Sequence, residues 1–166
     1  NLGMLTESTE LLRLANYLAF AGIPHRAARV MEKAMKEGTI ESNAANYKTL
    51  ANYWHQAKEL DPAIDTLAKS YKLAPSADLQ LKMARMMIQS KRYQDLVAFA
   101  AKPAANASGE QRADLKFLTG VAYFEQQKPK EALNAFTQAA QHGNVSGRAS
   151  PWISFLKEQQ GGAVTQ

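Results

Sequence analysis

Four small residues, Ala15, Ala51, Ala84 and Gly120, recur in this 166-residue chain at intervals of 36, 33 and 36. A period of ~34 residues is the mark of stacked helical hairpins, because each hairpin must bury one face internally and another on its neighbour. Placing those four residues at position 8 of windows that start at 8, 44, 77 and 113 brings other positions into line. Position 20 holds Ala27, Ala63, Leu96 and Ala132, and position 24 holds Met31, Leu67, Ala100 and Phe136. Position 27 holds Ala34, Ser70, Pro103 and Ala139, while position 11 is always large: Leu18, Trp54, Met87, Tyr123. Small residues at 8, 20 and 27 let two helices approach closely, and the large ones fill the space between hairpins. The third window keeps the pattern least well.

Proline and glycine punctuate the same frame. Pro24, Pro62 and Pro129 fall where second helices start, a site at which the missing N–H costs nothing. Gly38 and Gly143 both fall at position 31, where a left-handed cap past the second helix suits glycine. No proline interrupts a predicted helix. The spacing predicts helices over about 8–21, 24–37, 44–57, 61–73, 77–90, 93–102, 110–126 and 129–142, and no strands. Residues 1–6 read as the tail of an earlier helix, so the chain reads as a fragment or processed product. A short closing helix over 150–159 places Trp152, Phe155 and Leu156 on one face, able to cover the apolar end of the stack, and Gly161 to Gln166 read as a frayed tail.

These residues resemble the tetratricopeptide repeat (TPR) family over about residues 8–144. Gly120, Tyr123, Ala132, Phe136 and Ala139 carry the resemblance most fully, and Tyr47, Leu50, Ala51, Trp54, Ala63, Leu67 and Pro75 add to it. It implies an all-α fold, a right-handed α-α superhelix forming a single solenoid domain over 1–166. Its repeats lie at about 8–41, 44–76, 77–109 and 113–144, with the capping helix at about 150–159.

Chemistry is poorly represented. Cysteine is absent, which removes disulfides, thiolate metal sites and thiol nucleophiles. The three histidines, His25, His55 and His142, are far apart in sequence and form no HExxH pattern, so no metal and no cofactor are expected. Glycine loops and serine elbows of the usual catalytic kinds are missing, and Met83, Met86 and Met87 read as adaptable core rather than as a copper site. The chain is expected not to be an enzyme. The longest apolar run, Tyr17 to Ile23, is far below the ~20 residues of a membrane span. A net charge of +5, spread without a basic block, is a weak footprint for nucleic acid.

The TPR resemblance implies a concave groove lined by positions 2, 5, 9, 12 and 13 of each first helix. From that lining we select Asn16, Lys48, Asn52, His55, Arg85 and Gln89 as a polar, net positive middle, and Phe117, Val121 and Phe124 as an apolar patch. A donor row beside an aromatic patch suits a peptide that offers a carboxylate or carbonyls plus a hydrophobic anchor. Lys48 and Asn52 resemble half of the carboxylate clamp of chaperone-binding TPR domains. Lys82, Asp114 and Leu118 break the other half.

The function implied is a non-catalytic scaffold that holds a protein or peptide partner. The stretches 36–41, 46–51 and 152–156 also resemble bacterial envelope TPR proteins of TonB/ExbB/ExbD systems, implying a periplasmic location and support of TonB-dependent uptake; a cytoplasmic location is the alternative. Two other readings stand beside it. One is an RNA-binding helical repeat, opposed by the groove acids Asp78, Asp114 and Glu125. The other is a scaffold in a polysaccharide-secretion or pilus-assembly machine.

Overall fold

The computed structural model describes residues 2–162. Among these there are nine α-helices and no strand: α1 (Leu2–Phe20), α2 (Pro24–Lys36), α3 (Ala44–Gln56), α4 (Leu60–Leu73), α5 (Ala77–Gln89), α6 (Tyr93–Ala100), α7 (Gly109–Glu125), α8 (Pro129–Ala139) and α9 (Gly143–Gly162). The frayed tail expected over 161–166 lies, beyond Gly162, outside the described residues, as does Asn1.

The chain divides into two compact units, Asn1–Pro75 and Ser76–Gln166. In the first, α1 pairs with α2 and α3 with α4, and α2 also packs on α3. In the second, α5 pairs with α6 and α7 with α8; α7 also packs on α5 and α6, and α9 on α8 and α7.

The repeat frame describes both cores. At position 8, Ala15, Ala51 and Ala84 are 1% exposed or less, and Gly120 is buried. At position 20 Ala27, Ala63, Leu96 and Ala132 are fully buried, and at position 24 Met31, Leu67 and Phe136 are too. Pro103 breaks position 27 by lying exposed, because α6 is only eight residues long and stops at Ala100. A buried glutamine replaces the missing turns. The Gln80 amide donates to the carbonyls of Phe99 (3.3 Å) and Lys102 (2.9 Å), and its Oε1 accepts from the Ala104 N–H (2.8 Å). A buried backbone without such partners costs several kcal/mol, so the side chain makes this irregular loop tenable.

The hairpin turns share a device that the sequence conceals. Gly22, Lys58, Lys91 and Gln127 all fall at position 15, and all have positive φ, between 57° and 77°. Only the first is the glycine such a backbone favours. Side-chain caps start three first helices: Asn43 accepts from the Asn46 N–H, Ser76 from Leu79, and Ser108 forms a reciprocal capping box with Gln111.

Both ends depart from expectation. Residues 2–7 continue into α1 as one helix rather than forming the tail of an earlier one. Gly38 does take positive φ, but Gly143 caps nothing and instead opens α9. The closing helix therefore starts seven residues before the expected 150, and Pro151 lies inside it. A helix-interior proline costs about 3 kcal/mol. Full burial of Val145, Ala149 and Leu156 outweighs that, at ~1.5–3 kcal/mol for each larger apolar side chain.

Candidate functional site

In the first unit, Lys48, Asn52 and His55 stand at i, i+4 and i+7 of α3, on one helical face. Lys48 is exposed, and Asn52 and His55 are half-buried. The opposite face of α3 is spent on Leu50, Ala51, Tyr53 and Trp54, all buried. Asn16, exposed on α1, accepts a 2.6 Å hydrogen bond from the Tyr53 hydroxyl through its Oδ1. It thus ties two first helices together as well as presenting its amide. Burial pushes the Tyr53 phenol above its ordinary pKa.

In the second unit, Arg85 and Gln89 are exposed one turn apart on α5. Arg85 lies 3.8 Å from the Asp114 carboxylate, which is also held by Arg148 of α9. Arg85 and Asp114 line a cleft of about 490 Å³ whose other walls include Asp78, Leu81 and Gln111. The groove acids are engaged by neighbours: Asp78 accepts from the Gln111 amide at 2.7 Å, and Glu125 from the Tyr93 hydroxyl at 3.3 Å. Desolvation, with the Glu125 charge and hydrogen bond behind it, raises the Tyr93 pKa.

The apolar row on α7 has a different fate from a peptide anchor. The Phe124 ring sits 5.0 Å from Trp152 and 6.1 Å from Phe155, both edge-on. Phe117 lies 5.5 Å from Phe136 and under the Arg148 guanidinium at 4.9 Å. Val121 is half-buried against the same cluster. α9 occupies the surface these residues offer.

Sequence reasoning missed Arg148. Two bridges reveal its place: Asn144 to Glu110 and Arg148 to Asp114 each span 34 residues. α9 therefore stands in repeat register as a further first helix, and counting one more period from Asp114 would have found it. Among the other candidates, Met83, Met86 and Met87 are core residues, each at most 5% exposed. His25 packs edge-on against Trp54 at 5.4 Å. Among the described residues no group of three His, Cys, Asp or Glu could hold a metal, and no helix is long and apolar enough to cross a membrane.

No family model and no curated protein matches the chain. Solved structures do. One crystal structure of MamA is 19% identical, covers 89% of this chain and 84% of its own, and superposes with a TM-score of 0.68. MamA 41-end from Desulfovibrio magneticus RS-1 is 12% identical over 92% of this chain and 85% of its own, with a TM-score of 0.63. PilF of Pseudomonas aeruginosa is 15% identical over 98% of this chain and 72% of its own, at a TM-score of 0.64. Both MamA and PilF are TPR proteins, and the likeness supports a TPR protein rather than the narrower TonB-system type. Small residues buried in register, hairpins of about 34 residues and these superpositions together establish that the chain has the tetratricopeptide-repeat fold.

Proposed function

We propose that the chain is a non-catalytic adaptor that grips a protein partner with the exposed polar faces of its first helices. The TPR fold of MamA and PilF supports a protein-interaction scaffold in general. One observation carries the reading to these residues. Ala15, Ala51 and Ala84 are buried inside their hairpins, while Asn16, Lys48, Arg85 and Gln89 on the same helices stay exposed. α1, α3 and α5 thus spend their small-residue faces on packing and keep donor-rich faces for a ligand. Such donors pair best with carboxylates and backbone carbonyls.

The finer setting is periplasmic, beside TonB/ExbB/ExbD components, and it rests on the short resemblance at 36–41, 46–51 and 152–156. A second setting, a scaffold in a pilus-assembly machine, is favoured by the likeness to PilF, which extends over 98% of this chain. Affinity capture from an envelope extract tests all three levels. Recovery of partners that Lys48→Ala and Arg85→Ala lose supports the adaptor reading, and the identity of the partners chooses between the settings. Equal recovery by the variants sinks the assignment to these faces, and cytosolic partners alone sink the envelope setting.

A further inference from the structure

A second surface lies on the other helices of the first unit. α2 and α4, with α3 beneath them, enclose a cleft of about 830 Å³. Its rim carries Arg29, Lys33 and Lys36 from α2 and Lys69 from α4, and its walls include Val30, Met35, Tyr47 and Leu50. Lys69 reaches over the Tyr47 ring, 5.7 Å from its centroid.

The charge placement is lopsided. Residues 1–75 hold nine Lys and Arg and eight Asp and Glu, a balance of 9 − 8 = +1. Four of those nine cations line the cleft but only one of the eight acids, Glu32, a local balance of 4 − 1 = +3. The rest of the unit is therefore 5 − 7 = −2. Glu32 lies 3.5 Å from Arg29, and Lys33 lies 3.8 Å from Glu37, both as exposed pairs that are weak in water. A ligand that supplied several carboxylates at once would compete with these weak pairs for the same cations.

We propose that this cleft is a docking site for an extended acidic segment of a partner protein, distinct from the first-helix faces described above. From Arg29 to Lys36 the helix rises about 10 Å, the length of about three extended residues. Side chains of an extended strand alternate in direction, so carboxylates at every second position meet the basic rim. The apolar residues between them meet the half-buried Tyr47 and Val30, with Met35 and Leu50 buried behind these. Apolar walls under a cationic rim are the reverse image of an acid–apolar–acid sequence.

Fluorescence anisotropy with a labelled pentapeptide of alternating glutamate and leucine tests this on the whole chain. Binding is expected to weaken at least tenfold from 50 to 300 mM salt, because the contacts are ionic. Lys36→Glu with Lys69→Glu is expected to weaken it at least tenfold at unchanged helical circular dichroism, and a glutamine-for-glutamate peptide is expected not to bind. Lys48→Glu and Arg85→Glu should leave it unaltered, which keeps this site separable from the first-helix faces. No binding, equal binding of the glutamine peptide, or indifference to the Lys36 and Lys69 reversals overturns the proposal. So does tighter binding of oligouridine or of phosphatidylglycerol vesicles to the same cleft. Should the reversed pair fail to fold, Lys36→Gln with Lys69→Gln provides the same comparison.

Discussion

The ring of Phe136 lies directly against the backbone of Gly120: a Cβ added to Gly120 would come within 2.7 Å of the ring carbons Cδ1 and Cε1. The ring has nowhere to go, since Trp152 stacks on it at 5.2 Å and Phe117 leans on it at 5.5 Å. Gly120→Ala gains up to about 1 kcal/mol of helix propensity but incurs about 1–3 kcal/mol of overpacking. A net loss of about 1 kcal/mol is expected in urea unfolding. Adding Phe136→Leu should recover part of it, and simple additivity of the two substitutions would show that the contact does not exist.

The left-handed turns at position 15 invite the opposite change. A left-handed residue other than glycine costs about 1–2 kcal/mol, against roughly 0.4–1 kcal/mol of extra unfolded-state entropy for glycine. Lys58→Gly, Lys91→Gly and Gln127→Gly are each expected to raise stability by about 0.5–1 kcal/mol. Thermal melts of the triple variant should show the summed gain. A fall in Tm would mean that those side chains do more than turn the chain.

Gln80→Leu removes a buried amide with three backbone partners and takes that side chain away from the Lys102 carbonyl and the Ala104 N–H. Unsatisfied buried groups cost about 1–3 kcal/mol each, with partial relief from water once the loop loosens. A loss of about 2–3 kcal/mol is expected. Hydrogen exchange should locate it, with the amide of Ala104 losing protection before those of α7.

Alkaline pH should destabilise the chain partly through Tyr53. Its folded pKa stands above the ordinary value of 10.0, so the folded state holds the phenolic proton more tightly than the unfolded state does. That contribution is complete below pH 10 and is lost as pH rises through the folded value. Tyr53→Phe gives up the bond to Asn16, about 1 kcal/mol at pH 7, and should flatten the fall in stability above pH 10. Parallel alkaline profiles for the two proteins would contradict this.

Phe124 separates packing from binding. Held between Trp152 and Phe155, it should cost about 2 kcal/mol on truncation to alanine, below the ~3–5 kcal/mol of a fully buried phenylalanine. Lys48→Ala, on an exposed side chain, should stay within about 0.5 kcal/mol of the parent. Chemical denaturation of both variants decides. An unchanged Phe124→Ala would return that ring to the pool of free ligand-binding side chains.

Much of the fold could be read from residue order because its determinants are local and periodic. Alanine or glycine every ~34 residues specifies where helices touch, and Pro24 and Pro129 mark where second helices start. Misreadings cluster where local signals point away from the helix. Gly143, Gly147 and Pro151 disguise the first half of α9, and the lysines at positions 58 and 91 give no hint of a left-handed backbone. Tertiary packing overrode propensity at each of these places.

Of the candidate site, the exposed polar residues of α1, α3 and α5 follow from helical periodicity, since a face opposite a buried alanine stripe points outward. What residue order left open was which outward faces remain available. α9 closes over Phe117, Val121 and Phe124, Arg148 clasps Asp114, and four cations from two helices converge on one cleft. Those outcomes depend on distances between residues far apart along the backbone. A period dictates the shape of each hairpin, but only the assembled helices decide which side chains meet one another and which still meet water.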